Sequence, residues 1–110
     1  MRLIVKGSAT LPAVLPDLSE ETESKIEEIP PYKVILLDDN VTTMEFVVRI
    51  LIQLFGKDLD TAQRLMIEVH TQGAAHVATL SKEQAELKQE QVHAAARAEG
   101  FPFRCVIEPA

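Results

Sequence analysis

Cysteine occurs once in this 110-residue chain, at Cys105, so no disulfide can form within it. A reducing, cytoplasmic setting is the simple inference. Tryptophan is absent and aromatics are only 5% of residues, so any core is built mainly from aliphatic side chains. No apolar run approaches the ~18–20 residues of a membrane span. The opening MRLIVKGSATLPAVLP is interrupted by Lys6 and broken by Pro12 and Pro16, which argues against a secretory signal. Clustered basic residues are also missing. The formal net charge is −6, with Lys and Arg scattered, so nucleic acid is not an expected partner. Neither a cysteine pair nor an HExxH spacing is present to hold a metal. Nothing around Cys105 marks it as a nucleophile, and its apolar run reads as core.

What is present divides in two. Residues 1–31 carry Pro12, Pro16, Pro30 and Pro31, an acidic run from Asp17 to Glu28, and no sustained apolar period. They read as a flexible N-terminal extension. Residues 32–110 read as one compact domain. A core of roughly 80 residues buries about 60–65% of the surface its unfolded chain exposes, so the domain is feasible but not generously stable.

Lys33 to Phe46, KVILLDDNVTTMEF, organises that domain. Val34 to Leu37 is a short apolar run of the kind that forms a buried strand. Asp38, Asp39 and Asn40 then make a polar elbow. Thr42 with Glu45 fits a capping box, and Val41 with Phe46 a hydrophobic staple, so a helix begins there. Alternation along an extended segment puts Asp38 and Asn40 on one face and Asp39 on the other.

The first helix is expected over Thr43–Phe55, stopping at Gly56. Val47, Ile50, Leu51 and Leu54 follow helical spacing, and Val48, Ile52 and Phe55 widen the apolar face. Such a helix is covered on most sides or shows a patch to a partner. A second helix starts after Asp58 and runs to about Thr71, with Leu59, Ala62, Leu65, Met66 and Val69 as its buried stripe and Gly73 as its end. Ala74–Leu80 reads as a strand with Ala75, Val77 and Thr79 on one face. Ser81 with Gln84 opens a third helix to about Glu99, and Phe103–Ile107 alternates as a last strand. The order β-α-α-β-α-β describes a two-layer α+β sandwich.

A carboxylate, an amide oxygen and a neutral imidazole are all hydrogen-bond acceptors. Asp38, Asn40 and His70 beside an apolar helix suit a ligand that is an ammonium carrying a greasy side chain. A polypeptide's own N-terminus, starting with a large apolar residue, has that form. The metal reading of Asp38, Asp39, His70, His76 and His93 lacks ligand spacing. Asp38 and Asp39, facing opposite ways, make a poor acid–base dyad.

YKVILLDDNVTTMEFVVRIL, LMIEVHTQG, KEQAELKQEQV and FPFRCVIEP together resemble the ClpS family, adaptors of Clp proteases in the N-end rule pathway. The resemblance spans Tyr32 to Pro109. It implies a three-stranded antiparallel sheet packed on three helices, preceded by a mobile extension. It also implies a binding module rather than an enzyme, with no cofactor and no metal. Such a monomeric module takes substrates beginning with Leu, Phe, Tyr or Trp to a ClpA- or ClpC-type AAA+ unfoldase, in the cytoplasm or a plastid stroma. By resemblance, Asp38, Asp39, Asn40 and His70 bind the α-amino group. Thr42, Met44, Val47, Val69 and Phe103 line a hydrophobic pocket, with Met44 as its gatekeeper. Glu83 and Lys88 face the unfoldase.

This chain departs from the family in several places. The usual elbow Asn-Asp-Asp becomes Asp38-Asp39-Asn40, the aromatic after it becomes Val41, and the following proline becomes Thr43. Phe103 stands where Leu is common. These departures mark a divergent branch, of the kind some bacteria carry as a second paralogue. They also motivate an alternative, a regulatory module that binds the unfoldase but has lost or altered N-terminal recognition.

Overall fold

The computed structural model describes residues 29–110. The expected extension over 1–31 falls almost wholly outside them. The elements are β1 (Tyr32–Leu37), α1 (Met44–Gln53), α2 (Leu59–Gln72), β2 (Ala74–Leu80), α3 (Lys82–Ala98) and β3 (Arg104–Pro109). This is the β-α-α-β-α-β order. The strands form one antiparallel sheet in the order β2-β1-β3, with β1 central. Helix α3 packs on all three strands, and α2 packs on β2 and α1.

Each element ends on a residue suited to the job. Asp58 and Ser81 cap α2 and α3 by accepting from the N–H groups of Thr61 and Gln84. Gly73 ends α2 at φ +89°, a left-handed conformation that costs an L side chain about 1–2 kcal/mol. After α3, Phe101 N–H bonds Ala96 O and Gly100 N–H bonds Arg97 O, the paired closure of a Schellman motif.

Several boundaries and faces differ from expectation. The cap of α1 is Thr43, whose hydroxyl accepts from Phe46 N–H at 3.2 Å; Thr42 is held instead by Asp39. Val41 is exposed while Phe46 is buried, so no staple closes there. Leu59 is also exposed, since it occupies the first turn of α2 beside its cap. Thr79 leaves the inward face because a β-bulge opposite Val34 and Ile35 shifts the pairing of β2.

The core gathers Val34 and Leu36 of β1, Phe46, Val47, Ile50 and Leu51 of α1, and Ala62 and Val69 of α2. Ala85, Val92 and Ala96 let α3 sit close against the sheet. Phe46 is its pivot, meeting Phe101 and Phe103 edge-on at 5.1 and 5.8 Å between ring centres. Two α3 side chains also clasp β3. Gln89 Nε2 donates to Cys105 O at 2.9 Å, and Cys105 N–H donates to His93 Nε2 at 3.0 Å.

Candidate functional site

The elbow is built by Asp39. Its carboxylate accepts from Val41 N–H and Thr42 N–H and from the Thr42 hydroxyl, all at 2.7–2.8 Å. Strand β1 stops at Leu37 and the chain bends over residues 40–42, so strict alternation does not extend past Leu37. The family resemblance groups Asp39 with the amine-binding residues. In the structure its oxygens are engaged inside the elbow, where they set the path from β1 into α1. Burial alone would raise its carboxyl, but the Thr42 and Val41 hydrogen bonds outweigh that and hold it below the usual range.

That depression gives a pH signature. The folded carboxyl titrates below the unfolded one, so its stabilisation is present above the unfolded value of about 4 and fades as pH falls through the folded value. Thermal melts of the protein and of Asp39→Asn are expected to differ at pH 7 and to converge below about pH 4. A gap that persists unchanged into acid would mean that the charge of Asp39 does not support the elbow.

Asp38 precedes this turn, and its N–H donates to Gly73 O at 2.9 Å. One bond thus ties the end of β1 to the end of α2, where His70 occupies the last turn. His70 Nδ1 lies 4.0 Å from Asp38 Oδ1, with both side chains partly open to solvent. The separation is too long for a direct hydrogen bond. It does leave room for one nitrogen to bond both atoms at about 2.8 Å. Asn40 is exposed two residues beyond Asp38.

Next to the elbow, Met44 opens α1 and is 46% exposed. Met66 precedes His70 by one turn on the same face of α2, with Cβ atoms about 5–6 Å apart. These two methionines begin a groove of about 490 Å³ between α1 and α2. Its walls continue through Val48, Ile52 and Gln63.

Of the five residues expected in the hydrophobic pocket, only Met44 lines this groove. Thr42 is half-buried, while Val47, Val69 and Phe103 lie in the core at 2–6% exposure. Those three belong to the core; Met44 and Met66 stand at the end of the groove nearer the elbow, and Val48 and Ile52 line it further along α1. Helical spacing puts Met66 in the buried stripe of α2, yet it lines the groove, and its place four residues before His70 is the signal for that. Val48 and Ile52 were legible as the surplus apolar width of α1.

The remaining candidates are dispersed. Glu83 is exposed and Lys88 half-buried on α3, about 140° apart around the helix, so they do not share one face. His76 sits exposed on β2 near Ala78 O and the Thr79 hydroxyl, and His93 is used in the β3 clasp. Burial pushes the Cys105 thiol up to about 11, which suits a core residue. Among the described residues, no three His, Cys, Asp or Glu side chains gather within reach of one metal ion. No described helix is long and apolar enough to cross a membrane.

Comparison with known proteins agrees with this architecture. The family model described as ATP-dependent Clp protease adaptor protein ClpS matches residues 27–106. The ClpS adapter of Desulforapulum autotrophicum is 43% identical over 97 residues, covering 84% of this chain and 93% of that protein. The ClpS adapter of Nitratidesulfovibrio vulgaris is 44% identical over 98 residues, covering 86% and 98%. Among solved structures, Agrobacterium tumefaciens ClpS2 bound to L-phenylalaninamide matches with a TM-score of 0.73 at 34% identity, covering 76% of this chain and 100% of that one. With its strand order, its helix order and four-fifths of its length accounted for in this way, the chain belongs to the ClpS family of Clp protease adaptors.

Proposed function

We propose that this chain holds proteins by a free N-terminus carrying a bulky apolar first residue, and presents them to a Clp AAA+ unfoldase. The observation that carries the proposal is the pair of acceptors, Asp38 and His70, set 4.0 Å apart, with an apolar groove reached one helical turn from His70 at Met66. An ammonium group supplies three donors. In this reading Asp38 and His70 take two of them, and the Asn40 side-chain oxygen takes the third. Asp39 acts through the shape of the elbow. The exchange of Asp and Asn relative to the family keeps one carboxylate and one amide in the cage.

In this reading the first side chain enters beside Met44 and Met66, with Thr42, Val47, Val69 and Phe103 as the further contacts that family membership suggests. Two methionines at the entrance can adapt to linear or aromatic side chains, because the thioether stem is flexible and polarizable. L-phenylalaninamide, found in the ClpS2 neighbour, is a ligand of this type, a free α-amine beside a bulky side chain. The ATPase side of the reading rests on family membership, with Glu83 and Lys88 of α3 as contacts to a ClpA- or ClpC-type ring. In this reading the protein works as a monomeric cytoplasmic adaptor.

A scan of all first residues on one peptide frame tests the proposal by fluorescence anisotropy. Leu, Phe, Tyr and Trp are expected to bind at least about tenfold more tightly than Gly, Ser or Asp. That ratio corresponds to ~1.4 kcal/mol, within the range for burying one large apolar side chain. A flat profile, together with retained binding to a Clp ATPase, would instead favour the module that has lost N-terminal recognition. The Asp38 and Asn40 exchange is the observation on that side.

A further inference from the structure

We propose that the groove between α1 and α2 reads the third residue of the bound chain, and that an apolar side chain there strengthens binding. The inference rests on the reading above, in which Asp38 and His70 hold the first residue's amine.

The groove is larger than one side chain requires. Its volume of about 490 Å³ lies within the range that encloses a whole drug-sized ligand. It is also elongated. Met44, Val48 and Ile52 line it from α1 at successive turns, so it runs about 12 Å along the helix. An extended peptide places residues 1 and 3 on one face, roughly 6.6–6.8 Å apart. Val48 lies about 6 Å further along α1 than Met44. A first side chain seated at Met44 and Met66 therefore brings the third to Val48 and Ile52, while the second points away from the protein.

The borders of the groove suit a backbone passing over it. Gln53 and Gln63 line it from the two helices, each amide offering both donors and an acceptor to peptide groups. Arg49 is held in place, with Nη2 on Glu99 Oε2 at 2.6 Å and its guanidinium 5.3 Å from the Phe46 ring centre. That wall is anchored before any ligand arrives. Ile52, 38% exposed, has apolar surface left to cover.

Peptides Leu-Ala-X-Lys, with X as Ser, Leu or Phe and a fluorophore on the Lys, test this by anisotropy on the full chain. Each is used with a free and an acetylated N-terminus. Leu or Phe at X is expected to bind about five- to tenfold more tightly than Ser, equivalent to ~1–1.4 kcal/mol of added burial. The gain should appear only with the free N-terminus and fall below about twofold in Ile52→Lys, while that variant still prefers Leu over Gly at position 1. Equal binding of the three free peptides, with acetylation still disruptive, overturns the third-residue inference and leaves the amine-binding reading standing. A preference at X that survives Ile52→Lys, or persists in acetylated peptides, overturns it as well. Binding of no free peptide removes both readings together.

Discussion

Acetylating the N-terminus of a Leu-initiated peptide is expected to weaken its binding about 100-fold. The estimate comes from the chemistry of the cage. Truncating one partner of a hydrogen-bonded charge pair costs roughly 2–5 kcal/mol, and each 1.4 kcal/mol is a factor of ten. Acetylation removes the positive charge and leaves one N–H in place of three. Asp38 Oδ1 and His70 Nδ1, held 4.0 Å apart through the Asp38–Gly73 backbone bond, then lack a donor between them. Acetylated peptide and Asp38→Ala are expected not to add, because both delete the same interaction. Titration of both peptides against both proteins by anisotropy measures this. Equal affinity for free and acetylated peptide would remove the amine cage from the account.

Phe46→Ala is expected to lower the unfolding free energy by about 3–5 kcal/mol. The ring is 1% exposed, meets Phe101 and Phe103 edge-on, and supports the Arg49 guanidinium on its face. Few aromatics are available to refill the space, so the surrounding aliphatic side chains must collapse or leave a cavity. A domain of this size has only about 4–12 kcal/mol in total, so the variant loses a large fraction of it. Urea denaturation followed by circular dichroism reads the change. A loss below about 1.5 kcal/mol would show that the site relaxes easily and that Phe46 is not the pivot of the packing.

The sequence announced the fold through its punctuation. Asp58 and Ser81 could be recognised as caps, and Gly56 and Gly73 as stops, because each requirement is local to one turn of chain. The elbow was legible as a polar break followed by a helix, but its wiring was not. Thr42 and Thr43 are both competent caps, and the Asp39 carboxylate decides between them by engaging both the Thr42 N–H and its hydroxyl. The bulge that turns Thr79 outward depends on pairing with β1, which no window around Thr79 contains. The groove between α1 and α2 was the hardest part. Apolar type alone does not say which side chains stay open, because burial depends on how two helices settle on the sheet. Met66, Val48 and Ile52 line an open groove only once α1 and α2 are set side by side.

The clasp of Gln89 and His93 on Cys105 bears on what a carrier of unravelling polypeptides must avoid. An edge strand with unpaired backbone groups is a template for any extended chain, whatever its side chains. With the Cys105 amide and carbonyl occupied by α3, a passing segment cannot zip continuously along β3. Cargo that docked there would be held regardless of how its chain begins. By closing that register, α3 blocks an attachment to β3 that would be blind to where a chain begins.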